Sequence, residues 1–191
     1  LQEALAKLGQ PLLIRQGEAV TVLRNLAQTY RFTALFSHEE TGNGWTYARD
    51  QKVRIWCRDQ GIVWYELAQH GVQRRSVSRD GWARAWDKQM AEPLCIPPNL
   101  IPVTATDLGA IPTEKELSLS PDPCPERQNG GRALAWRTLQ SFLTERGEHY
   151  RRDMSNPLKG ASSCSRISPY LAWGCLSMRE VSHVVKDRRQ T

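Results

Sequence analysis

The chain has no run of apolar residues near the 20 that a membrane-spanning helix requires, and no signal-peptide pattern of basic, apolar and small residues. A membrane span and secretion therefore have no support. The expectation is a soluble cytoplasmic protein, or a nuclear or organellar one if the source is eukaryotic. Cysteine is scarce and scattered: Cys57, Cys95, Cys124, Cys164 and Cys175 are odd in number and never spaced as C-x-x-C. That excludes a disulfide framework and a zinc site, so reduced thiols are expected. His70, His149 and His183 stand isolated and read as surface or packing residues. Acidic charge is in deficit, with 20 Asp and Glu against 26 Lys and Arg, for a net charge of +6.

That charge is unevenly spread. Residues 91–126 carry one Lys and six Asp or Glu, hence −5, whereas residues 127–191 carry twelve Lys or Arg and five Asp or Glu, hence +7. The C-terminal part is where a polyanion would bind. At 191 residues and 40% hydrophobic, the chain can bury one or two cores. It opens inside what reads as a helix end (1–8, stopped by Gly9) and closes just after an amphipathic run, so both ends read as cuts.

Short apolar runs alternate with helical patterns over the first ninety residues. "PLLIRQG" (11–17), "TALFSHE" (33–39) and "IVWYEL" (62–67) read as strands. Helical patterns occupy 18–30, with Val20, Leu23, Leu26, Ala27 and Tyr30 on one face, then 45–61 and 80–90. Strands and helices in this order predict a parallel sheet layered with helices over residues 1–90. In residues 91–127 the texture changes, and eight of the eleven prolines fall between Ala91 and Glu126 without a sustained period. This reads as an extended linker. Only helical patterns follow in 128–191: 130–146, 168–174 and 177–189. The predicted fold is α/β plus all-α.

The stretch "SSCSRISPYLAWGCLSMREV" (162–181) concentrates small polar residues and an arginine ahead of two helix starts. Ser168 before Pro169 reads as a serine cap with proline at the first helical position, and Ser177 with Glu180 as a capping box. Capping accounts for Ser168, Ser177 and Glu180. Ser162, Ser163, Cys164, Ser165 and Arg166 exceed what one cap needs, and they lie where helix N–H groups converge, as at a phosphate site. Both readings stand on the residues alone.

"CSRISPYLAWGCLSMRE" closely resembles the flavin-binding signature of the photolyase and cryptochrome family. "HEETGNGWTYARDQKVRIWC", "GIVWYE" and "QHGVQRRSVSRDGWARAW" resemble successive parts of that family's N-terminal α/β domain, in order. The resemblance implies a Rossmann-like sheet domain lacking its first strand, a linker and the start of a helical domain that binds flavin adenine dinucleotide (FAD). It implies that Tyr150, Cys164, Ser165, Arg166, Ile167 and Ser168 hold the diphosphate. Cys164 stands where the signature has threonine, and a thiol is the weaker donor, so Ser165 and Ser168 rank above it. The resemblance further implies a monomeric DNA photolyase acting on damaged duplex DNA, with Arg151 and Arg152 on the DNA-facing side; solvated loop charges account for those two arginines equally well. The alternative within the family is a cryptochrome that signals to a protein partner. Electron-transfer tryptophans and substrate contacts lie beyond Thr191, so no catalytic residue is assigned. An antenna chromophore is possible but unassigned, because the acidic residue that would hold a folate falls near Thr46. Trp56, Trp64, Trp82 and Trp86 read as core aromatics.

Overall fold

The computed structural model describes residues 1–74, 76–96 and 98–190. The chain divides into two compact units, Leu1–Arg74 with Pro97–Pro123, and Arg75–Ile96 with Cys124–Thr191.

The first unit is a small α/β layer. After helix α1 (Gln2–Ala6), α2 (Ala19–Tyr30) starts at Glu18, whose carboxylate accepts the Thr21 N–H at 2.9 Å. Helix α3 (Gly44–Asp59) starts at Asn43, whose Oδ1 accepts the N–H groups of Trp45 and Thr46 at 3.0 and 3.1 Å. These carbonyl and carboxylate oxygens satisfy donors that the first helical turn leaves without partners. Strands β1 (Ala34–His38) and β2 (Val63–Leu67) pair in parallel, with Ala34 opposite Val63 and His38 opposite Leu67. Val53, Trp56 and Cys57 recur at helical spacing on α3. They form the core with Ile62, against which Val20, Leu23 and Ala27 of α2 and Leu35 and Trp64 of the sheet pack.

Two expectations change here. Residues 11–17 form no strand: the Ile14 N–H donates to Leu108 O at 2.7 Å, so the segment pairs with the proline-rich stretch. Gln10 Nε2 also bonds Ile101 O at 2.8 Å, the Val103 N–H bonds Gly9 O at 2.9 Å, and Arg15 pairs with Asp107 at 2.9 Å. The stretch expected as an extended linker is strapped to this unit over 101–108. Strands alternating with helices also predict a three-layer unit, with helices on both faces of the sheet, whereas among the described residues this unit has two layers. Phe36 and Tyr65 are stacked at 4.7 Å on a sheet face left exposed together with Val63 and Leu67.

The second unit is helical, as its patterns predict. Helix α4 (Trp82–Ala91) belongs to it, although the strand and helix alternation assigns these residues to the front. The reason is chemical. The last carbonyls of a helix lack intrahelical donors, and here α9 (Met178–Gln190) supplies them. Arg179 bonds Gln89 O and Pro93 O, both at 3.1 Å, and Glu92 at 2.8 Å, while His183 Nε2 lies 2.8 Å from Met90 O. Helix α5 (Arg132–Thr144) contributes Ala135 and Leu139, one turn apart, to a core completed by Ile167, Tyr170, Leu176 and Val181. A 3-10 turn (Arg146–His149) and three short helices follow: α6 (Tyr150–Asp153), α7 (Gly160–Ser163) and α8 (Ser168–Ala172).

Candidate functional site

The serine-rich turn lies between α7 and α8, and its support comes from three directions. Below it, α6 and α7 are joined by Asp153, a carboxylate only 5% exposed. Arg152 grips it in a two-pronged ion pair at 2.8 and 2.9 Å, and Ser163 Oγ lies 3.4 Å away. The Arg152 guanidinium holds the Asp153 carboxyl down at about 2. Asn156 Oδ1 accepts the N–H groups of Leu158 and Lys159 at 2.9 and 3.2 Å, closing the loop into α7.

Behind the turn stands Arg146. Its Nη1 donates to Cys164 O at 2.5 Å and its Nη2 to Ser165 O at 3.3 Å. The same guanidinium is anchored on α5 by Thr138 O at 2.8 Å and Ser141 Oγ at 3.0 Å. It has no carboxylate partner among the described residues. On the third side Gln128 Nε2 donates to Arg166 O at 2.9 Å, and its Oε1 accepts from Arg166 Nε at 3.3 Å. Next to it Asn129 O accepts the hydroxyl of buried Tyr170 at 3.0 Å.

The turn itself is contorted. Cys164 is extended, Arg166 has φ +60°, and Ile167 returns to φ −91°, ψ −9°. A non-glycine residue at positive φ is uncommon and is held only where its surroundings over-determine it, as Gln128 does here. The N–H groups of Ser165, Arg166, Ile167 and Ser168 donate to no acceptor among the described residues. Free N–H groups in succession around a left-handed residue suit an anion, so the turn fits a phosphate group.

The structure sorts the sequence candidates. Cys164, Ser165, Arg166, Ile167 and Ser168 form one turn, and Tyr150 opens α6 nearby in sequence, its ring edge-on to Phe142 at 5.7 Å. Ile167 points its side chain into the helical core, so only its backbone is available to a ligand. Ser168 is the first residue of α8 rather than its cap: Ile167 holds the cap position and no side chain caps the helix. The Cys164 thiol lies 3.9 Å from Met154 O. Arg151 is exposed and without an ion pair among the described residues, whereas Arg152 is committed to Asp153. The Ser177 and Glu180 capping box is present, the Ser177 N–H bonding Glu180 Oε2 at 2.8 Å and the Glu180 N–H bonding Ser177 Oγ at 3.1 Å. Arg146 and Gln128 carry no sequence signal, because each acts on backbone carbonyls far along the chain.

At the strand ends Glu40 accepts the Gly42 N–H at 2.7 Å and pairs with Arg49 at 3.3 Å, and Arg74 pairs with Glu66 at 2.7 Å. Thr46 sits in the first turn of α3. Trp56 is a core residue as expected, but Trp82 is 45% exposed.

Comparison with known proteins agrees with this architecture. The fold is similar to that of a bacterial class III photolyase from Agrobacterium tumefaciens, with a TM-score of 0.69 at 19% identity over 97% of this chain and 41% of that one. The fold class is therefore α/β plus helical, of the photolyase type. Residues 1–81 match the DNA photolyase family. A cryptochrome DASH from Natronomonas pharaonis is 27% identical over 94% of this chain and 41% of its own length. Another, from Gloeobacter violaceus, is 25% identical over 97% and 40%. An uncharacterized 31.6 kDa protein from Synechococcus is 29% identical over 95% of this chain and 67% of its own length. The chain is similar to members of the photolyase/cryptochrome family, and it spans about two fifths of the cryptochrome DASH relatives it matches. Photolyases and cryptochromes generally bind FAD, and photolyases act on DNA.

Proposed function

We propose that the protein carrying this chain is a blue-light flavoprotein that repairs pyrimidine dimers in DNA, with FAD held by the turn at 164–168. The observation that carries this reading is the turn itself: four successive N–H groups without acceptors among the described residues, in a segment that resembles the family's flavin signature. Bound there, reduced FAD would supply a photoexcited electron to the dimer and recover it once the dimer has split. This chain's residues hold and orient the flavin. Backbone N–H groups of Ser165, Arg166 and Ile167 receive the diphosphate, the half-buried Ser165 hydroxyl adds a donor, and the Tyr150 ring lies against Phe142 at the start of α6. The guanidinium of Arg151, without an ion pair among the described residues, is available to a DNA phosphate, and its neighbour Arg152 is available only by leaving Asp153.

The test is light-dependent restoration of a dimer-containing duplex by the full-length protein loaded with FAD. Repair that requires both light and flavin supports the reading. A second reading, a signalling cryptochrome, draws on the two relatives named cryptochrome DASH. Stoichiometric flavin with a photocycle but no repair on duplex or single-stranded substrate would favour it.

A further inference from the structure

We propose that Arg146 and Gln128 are positioning residues for the diphosphate: they hold three successive carbonyls of the turn and thereby aim the three following N–H groups at the bound anion. The inference rests on the flavin reading above and extends it to residues outside the signature.

A peptide unit is planar and trans, so the C=O of one residue and the N–H of the next point in opposite directions. Arg146 binds the carbonyls of Cys164 and Ser165, at 2.5 and 3.3 Å, and Gln128 binds that of Arg166 at 2.9 Å. The N–H groups of Ser165 and Arg166 are consequently directed away from Arg146 and that of Ile167 away from Gln128, and each donates to nothing among the described residues. The left-handed Arg166 followed by right-handed Ile167 gathers neighbouring N–H groups into one concavity, the geometry of a backbone anion nest.

Arg146 does more than fill space. Its remaining donors reach Thr138 O and Ser141 Oγ, which ties the turn to helix α5 rather than to another loop. A lysine ammonium cannot span two turn carbonyls and a helix at once, whereas a guanidinium presents its donors in a fixed fork. Its charge is balanced by no carboxylate among the described residues, so it also adds attraction for a doubly charged group on the far side of the turn. Gln128 uses both ends of its amide on Arg166, holding the backbone in the conformation that the nest needs.

The test measures the affinity of the intact protein for FAD and for riboflavin, which has the same ring system without the diphosphate, by quenching of flavin fluorescence. Arg146→Met is expected to weaken FAD about tenfold or more while changing riboflavin less than about twofold. Arg146→Lys should fall between it and the parent, and Gln128→Ala should show a smaller loss in the same direction. Equal loss of both ligands would mean that Arg146 only supports the fold and would overturn the proposal, as would unchanged FAD affinity. If Arg146→Met does not fold, as judged by circular dichroism, Gln128→Ala decides by the same ratio. A parent protein that binds no FAD sinks the flavin reading and this one together. A parent preference for FAD that survives in the variants sinks this one alone.

Discussion

Replacing Glu180 by alanine and by glutamine separates two contributions that the structure places on one side chain. Glu180 Oε2 accepts the Ser177 N–H at 2.8 Å, completing the reciprocal cap of α9, and Glu180 Oε1 meets Arg132 Nη2 at 2.5 Å. The cap is worth about 1 kcal/mol. The ion pair is discounted for solvent, since the Arg132 side chain is 57% exposed against 17% for Glu180, and is worth about 0.5–1 kcal/mol. Glu180→Ala should therefore destabilise by about 1.5–2 kcal/mol, and Glu180→Gln, which keeps an acceptor for the Ser177 N–H, by about 0.5–1 kcal/mol. Urea unfolding of the intact protein followed by helical circular dichroism reads both. In 1 M salt, where the screening length is about 3 Å, the glutamine variant should approach the parent while the alanine variant stays behind. The pH dependence has a definite sign. The Arg132 hydrogen bond holds the Glu180 carboxyl below its ordinary value. The associated stability is present above the unfolded value of about 4.3 and is lost as pH falls through the lower folded value, a loss absent from the glutamine variant. Equal destabilisation by alanine and glutamine at all salt concentrations would refute the reasoning, because it would leave the cap with no measurable contribution.

Asp153, held at about 2 by Arg152, contributes stability above the unfolded value of about 3.9 that is lost as pH falls from there through 2. The protection of amides at 160–163, corrected for intrinsic exchange, should therefore fall across that window in the parent but not in Asp153→Asn. Arg151→Ala should flatten the slope of log DNA affinity against log salt by about one unit, and Arg152→Ala by less, because its charge is already engaged. A salt titration in the dark with damaged duplex measures both, and equal slopes for the two variants would contradict the assignment. Leu139→Ala, at a position 1% exposed in the core that also contains Ile167, should cost about 2–5 kcal/mol in urea unfolding.

What the sequence makes legible follows the range over which each signal acts. The box at Ser177 and Glu180 is readable because both partners lie three residues apart, within one helical turn. Helices α2, α3, α5 and α9 are readable from their apolar spacing, and β1 and β2 from short apolar runs. The run at 11–17 has the same texture as a strand, but its N–H partner, Leu108, lies in the proline-rich stretch where no strand pattern announces it. Helix α4 follows the sheet in sequence yet is gripped by Arg179 and His183, about 90 residues later, and no local pattern reports so distant a partner. At the turn, the residue types of 162–168 are visible while the conformation is not. The positive φ at Arg166 and the holds from Arg146 and Gln128 depend on backbone carbonyls, whose direction no side-chain pattern encodes.

The central claim is that backbone N–H groups of this turn hold the flavin diphosphate. The most direct measurement is the amide spectrum of the full-length protein selectively labelled at serine, arginine and isoleucine, titrated with FAD and separately with riboflavin. The account predicts downfield shifts of the Ser165, Arg166 and Ile167 amide protons with FAD and none with riboflavin. Tight FAD binding that leaves those three amides unmoved would contradict it.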